Sequence, residues 1–158
     1  MEIAGKILRH AAVVLALIHL ACGVTCGTDY VLIGSSCYRF NQAVRSASEA
    51  EAFCNAEGSS LADINGEADK AAIIAHINAN FAGTYWTAGR GESGRYVWGG
   101  SEVEVPSQWR GRRFRSGSDM CVYVCSHTHR LWEDLCSTPK RYICKQRYTL
   151  GTEGVEVY

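Results

Sequence analysis

Apolar and polar positions alternate with period two in several short stretches of this chain, and with helical period in two others. From Cys121 the alternation Val122-Tyr123-Val124 ends in a polar turn, and a second apolar-aromatic stretch begins at Trp132. With Tyr142-Ile143 closing at Cys144, the segment Cys121–Cys144 predicts a β-hairpin unit bounded by cysteines. Tyr30–Ile33, the turn Gly34-Ser35-Ser36 and Cys37-Tyr38-Arg39-Phe40 predict another hairpin near the start. Ala47, Ala50, Phe53 and Cys54 share one helical face, so Ser46–Gly58 predicts a helix. Ser46 and Glu49 form its capping box, and Gly58 is its stop. A second helix is predicted over Gly66–Asn78, capped by Asn65. Ile73, Ile74 and Ile77 face inward there, with Glu67, Asp69, Lys70 and His76 on a solvated outer face. Tyr85–Gly89 and Arg95–Trp98 read as strands joined by a Gly/Ser turn, and Gly99–Met120 reads as one long polar loop. Loops of that length in a compact domain are uncommon and often functional. The order of hairpin, two helices, then short strands gives an α+β domain with segregated helices.

The first 23 residues follow a different pattern. Lys6 and Arg9 precede an apolar run from Ala11 to Ala21, broken only by His19, and Ala21-Cys22-Gly23 offers small residues for cleavage. This predicts a secretory signal peptide over residues 1–23. An uncleaved anchor is the other reading, but the run falls short of the roughly 20 residues a membrane span needs. The expected domain covers residues 24–147, with residues 148–158 as a loose tail. Secretion then implies an extracellular protein with no membrane attachment after processing.

The chain has 158 residues, is 47% hydrophobic and carries no formal net charge. One globular domain fits this length. A neutral chain gives no general electrostatic case for nucleic acid. Removal of the leader takes Cys22 with it and leaves seven cysteines. Secreted domains use cysteines at this density as disulfides, and an odd number leaves one over. No Gly-x-Ser-x-Gly, His-Glu-x-x-His or Gly-rich phosphate loop occurs, so no enzyme is expected.

Three local features carry candidate chemistry. Arg110-Gly-Arg-Arg-Phe-Arg115 places Arg110, Arg112, Arg113 and Arg115 beside Phe114 and Trp109. Arginine forks match sulfate, phosphate and carboxylate, and the aromatic rings suit stacking. The other reading of this cluster is a solvated loop. The acidic pair Glu133-Asp134 follows Trp132, a residue of buried type, at a strand end where a metal or ligand could be met. Cys125, His127 and His129 would share one face if extended and could hold zinc, whereas at a hairpin tip they form a polar turn.

Together these stretches resemble the C-type lectin-like domain, across about Cys26–Lys145. Cys26-x10-Cys37-Tyr38 is similar to the extra N-terminal hairpin of the family's long form. Cys54 lies on the first helix as the family's first invariant cysteine does, and Tyr85–Gly89 looks like a variant of its core Trp-Ile-Gly motif. Trp132-x-Asp134 and Cys136-x7-Cys144 resemble its C-terminal signature. The resemblance implies a disulfide-stapled fold of two helices packed on short antiparallel sheets with a long irregular loop. It also implies the pairs Cys26–Cys37, Cys54–Cys144 and Cys121–Cys136, leaving Cys125 as an unpaired thiol that could link a homodimer.

Calcium-dependent members of the family bind sugar through calcium. Its ligands come from a Glu-Pro-Asn or Gln-Pro-Asp triplet, an acidic residue before the third core cysteine, and a Trp-Asn-Asp. On this chain Asp119 fits the acidic position and Asp134 the Asp, while Glu133 replaces Asn. The triplet is absent; its positions fall near Gly111 and Arg113. Two oxygen donors are thus missing from a metal that takes six to eight, and an arginine stands close enough to pair with Asp119, Glu133 or Asp134 instead. The expectation is a recognition domain for a glycan or glycoprotein, more anionic than neutral and calcium-independent. Its ligand residues would be Trp109, Arg110, Arg112, Arg113, Arg115, Asp119, Glu133 and Asp134. The alternatives are a lectin-like fold used for protein or matrix contacts, and a calcium lectin with a degenerate site at Asp119, Glu133 and Asp134.

Overall fold

The computed structural model describes residues 25–99, 101, 103–111, 114–115 and 117–146. The expected leader (1–23) and tail (148–158) lie outside these residues, as do Arg112 and Arg113. Strand β1 (Val31–Ile33) turns into β2 (Ser36–Arg45), followed by helix α1 (Ala47–Ala56), the two-residue β3 (Ser60–Leu61) and helix α2 (Glu67–Asn80). Strands β4 (Thr84–Glu92) and β5 (Arg95–Trp98) precede the long loop, and β6 (Met120–Cys125), β7 (Arg130–Leu135) and β8 (Lys140–Gln146) complete the chain.

The strands join in the order β1-β2-β8-β4-β6-β7, with β3 on β8 and β5 on β4. All pairs are antiparallel except β4 with β8, which run parallel. The first long strand therefore lies beside the last, with Arg39 opposite Cys144. Three disulfides lock this arrangement: Cys26–Cys37 staples the first hairpin, Cys54–Cys144 ties α1 to β8, and Cys121–Cys136 closes the base of the β6/β7 unit. Cys125 is the free cysteine of the described residues.

Helix α1 starts where its sequence signals put it. Ser46 Oγ accepts from the Glu49 N–H, and the Glu49 carboxylate accepts from the Ser46 N–H at 2.9 Å. This hydrogen bonding holds the Glu49 carboxyl below its ordinary 4.5. Helix α2 departs from expectation at its cap and on one face. Gly66, not Asn65, is the N-cap and gives no side-chain hydrogen bond. Lys70 is 7% exposed, with its ammonium on Glu67 at 2.8 Å and 5.2 Å from the Trp109 ring centre. His76 is half-buried and stacks on Phe40 at 4.4 Å. Both belong to the packed side of the helix, because β2 and the long loop fold over residues that helical periodicity alone assigns to water.

Trp86 sits at the centre of the core, fully buried, with its indole N–H shared between the carbonyls of Arg45 and Thr138. One donor thus joins the end of β2 to the turn before β8. Buried Trp needs such a partner, since an unmatched N–H in apolar surroundings is costly.

Candidate functional site

The site is built by β7 and by the second half of the long loop, which lies along that strand. Arg110 forms a parallel bridge with Leu131, and the Gly111 N–H donates to the Leu131 carbonyl at 2.8 Å. Gly111 must be glycine for this approach: a Cβ there would stand 2.4 Å from the Trp132 ring. Trp132 is only half-buried, contrary to its reading as a buried type, because its outer ring covers loop backbone and not core. Further on, Phe114 meets Tyr96 edge to face at 4.5 Å, and the Tyr96 hydroxyl donates to the Arg115 carbonyl.

Glu133 and Asp134 do not act as a pair. Adjacent strand residues point to opposite faces. Glu133 lies opposite Val122 and reaches the loop side, where its Oε1 accepts from the Arg115 N–H at 3.0 Å. Its Oε2 is buried and has no hydrogen-bond partner among the described residues. Asp134 lies opposite Cys121, and its Oδ2 is 2.8 Å from the Lys140 ammonium. That ammonium also stands 4.4 Å from the Tyr123 ring centre and 5.1 Å from that of Trp86. A cation between a carboxylate and two aromatic faces is strongly held. Burial alone would raise the Asp134 carboxyl, but the Lys140 and Leu135 hydrogen bonds and the Lys140 charge hold it below its ordinary 3.8. Among the described residues the basic partner of the acidic pair is thus Lys140, from the next strand, and not a loop arginine side chain.

Asp119 is exposed, and its carbonyl accepts from the Cys136 N–H. The Tyr96 phenol is pushed above 10.0 by burial first and then by the Glu133 and Asp119 charges, with Arg110 opposing. Glu133 thus reaches the loop and Asp134 the Lys140 ammonium. Among the described residues no three His, Cys, Asp or Glu side chains converge on a metal position. Of the three candidate carboxylates, Asp134 is engaged by the Lys140 ammonium and Glu133 by the Arg115 N–H.

The arginines are placed differently from one another. Arg110 lays its guanidinium over Phe114 at 5.2 Å, and its carbonyl accepts from Arg130 Nη1 at 3.2 Å. Arg115 is exposed. Arg110, Arg115 and Arg130 have no carboxylate partner among the described residues, whereas Arg39, Arg90 and Arg95 pair with Glu57, Glu51 and Glu104. Arg130 was not legible as a site residue, since it lies 15 positions beyond the cluster in sequence. Trp109 does not join this group. It is buried, and lines a cleft of about 400 Å³ with Asp63, Asn65, Trp98, Glu104 and Pro106.

The histidine trio does not form. Residues 126–129 make a tight turn, with His129 at φ 56° and both histidines exposed, so the extended backbone that would align them with Cys125 is missing. Ser126 is the buried member; its Oγ accepts from the Gly83 N–H at 3.0 Å.

This fold and these disulfides define a C-type lectin-like domain. The family model of the Lectin C-type domain matches residues 43–146, and the chain belongs to that family. Human asialoglycoprotein receptor 2 is 27% identical over 129 residues, covering 77% of this chain and 41% of the receptor. The chain thus spans about two fifths of that relative's length. Among solved structures, the SPL-1–GlcNAc complex matches with a TM-score of 0.69 at 19% identity, covering 79% of this chain and 97% of that one. A calcium-independent type II antifreeze protein matches with a TM-score of 0.63 at 21% identity, over 78% and 95%. At these identities the structural likeness shows the fold. No helix among the described residues is long and apolar enough to cross a membrane.

Proposed function

We propose that this chain is a secreted, non-enzymatic recognition domain that binds anionic glycans or glycoproteins without calcium. The observation that carries this reading is the edge of β7, where Arg110, Arg115 and Arg130 stand without carboxylate partners among the described residues. An unpaired guanidinium is free to fork onto a sulfate or carboxylate. The Lys140 ammonium on Asp134 supports calcium independence, because a fixed cation already satisfies that carboxylate. The relatives named above include a receptor for asialoglycoproteins and a GlcNAc complex, and the fold also occurs in a protein described as calcium-independent. Three disulfides support an oxidising, extracellular setting.

The test is binding of the full chain to heparin oligosaccharides and to their desulfated counterparts, with calcium and with chelator. The sulfated probe binds equally in both conditions, the desulfated one is at least about tenfold weaker, and affinity falls as salt rises. Arg110→Ala and Arg130→Ala each weaken binding about tenfold, the loss of one charged hydrogen bond. Abolition by chelator, or no binding to either probe, sinks this reading.

A second reading, protein contact without sugar, rests on Val31 and Leu32 of edge strand β1 and on Phe81, all exposed apolar residues. A covalent dimer through Cys125 belongs with it. That thiol is half-buried at the end of β6. A non-reducing gel with a monomer band alone counts against the dimer.

A further inference from the structure

We infer that Glu133 is the positioning residue of the arginine loop: its carboxylate fixes the Arg115 backbone and so sets where the guanidinium groups of the β7 edge stand. The inference rests on the anion-binding reading for its functional consequence, but its structural half stands alone.

Two hydrogen bonds grip the Arg115 main chain from different strands. Glu133 on β7 accepts from its N–H at 3.0 Å, and Tyr96 on β5 donates to its carbonyl. With the peptide groups on both sides of its Cα held, Arg115 cannot turn about its own backbone torsions without losing one of these bonds. Phe114 is held in the same way, between the Tyr96 ring at 4.5 Å and the Arg110 guanidinium at 5.2 Å. Arg110 is anchored in turn by its bridge to Leu131 and by the Arg130 bond to its carbonyl. Most of these anchors are main-chain bonds or ring contacts; Glu133 is the side chain that reaches from β7 into the far end of the segment. Removing it releases the Arg115 N–H and leaves that end on the Tyr96 bond alone, while the Arg110 end stays docked.

Glu133 also carries a cost to anion binding. It is a carboxylate beside guanidinium groups, and its Oε2 is buried without a hydrogen-bond partner among the described residues. The negative charge opposes an incoming sulfate, while the Oε1 acceptor preorganises the loop that receives it. These two roles separate by substitution. Glu133→Gln keeps an acceptor at Oε1 and removes the charge; Glu133→Ala removes both.

The experiment uses the full chain labelled with nitrogen-15. Amide exchange at Arg115 is about 10- to 100-fold faster in Glu133→Ala, while core amides of β4 and β8 are unchanged. In Glu133→Gln the Arg115 amide keeps most of its protection. With heparin oligosaccharide as the probe, Glu133→Ala binds several-fold more weakly than wild type and Glu133→Gln binds more tightly. A side chain that only supports the fold does not give opposite signs for the two variants. Unchanged Arg115 exchange in Glu133→Ala overturns the inference whatever the probe does. Losses of equal size in both variants overturn the two-role account. If Arg110→Ala and Arg130→Ala abolish binding while Glu133→Ala binds as wild type, the function survives and the positioning role does not. If wild type binds no heparin at all, the exchange data still decide whether Glu133 holds the loop.

Discussion

Replacing Cys54 and Cys144 together with alanine lowers the stability of the domain by about 4–5 kcal/mol, the largest loss expected from any linkage in the chain. The bond closes a loop with a sequence separation of 90, and the chain-entropy cost of leaving such a loop open in the unfolded state is of that size. Both cysteines are fully buried, so two small cavities add to the cost. The other two bridges close separations of 11 and 15, and removal of either costs about 3 kcal/mol at most in the same model. Urea denaturation of the three double variants measures the order. If the Cys54–Cys144 variant is no less stable than the others, α1 and β8 are held by packing and not by the covalent tie.

Lys140→Met is the second large effect, a loss of about 2 kcal/mol that added calcium does not restore. The lysine side chain is 11% exposed and Asp134 is 38% exposed, so the pair is only partly shielded and the loss stays below that of a fully buried pair. Methionine keeps the aliphatic packing against Trp86 and Tyr123, which makes the measured loss report on the ammonium. The acid dependence gives a second readout. Asp134 has a folded pKa below its ordinary 3.8, so its contribution is complete above that value and is lost as pH falls through the lowered one. Wild type therefore loses stability on acidification below 3.8 through this pair, and Lys140→Met has a shallower acid limb. Full restoration of Lys140→Met by calcium contradicts the built-in cation. So does an acid limb identical to wild type.

Much of the architecture was legible in local sequence because it depends on near neighbours. The capping box at Ser46 and Glu49 needs three residues of spacing and nothing else. Cys54 points inward because it shares a helical face with Ala47 and Ala50, all three buried. The β6/β7 hairpin follows from period-two alternation on either side of a polar turn. Lys70 and His76 were not legible, because helical periodicity places them outside and only the packing of Trp109 and Phe40 covers them. Trp109, grouped with the arginines by adjacency, turns the other way into the cleft beside α2.

The acidic pair marks where sequence stops and tertiary structure begins. Residue order and spacing alone put Glu133 and Asp134 at a strand end near a basic loop, show that the calcium triplet is missing, and suit the cysteines to a stapled lectin-like fold. The partners of the two carboxylates emerge from the folded arrangement. Strand alternation sends the two carboxylates to opposite faces, one to the Arg115 main chain and one to Lys140. A charge chooses its partner by distance in space, and chain position does not encode that distance. Lys140 and Arg130 reach the site through turns and strand register, and neither leaves a mark on hydrophobic pattern or residue spacing.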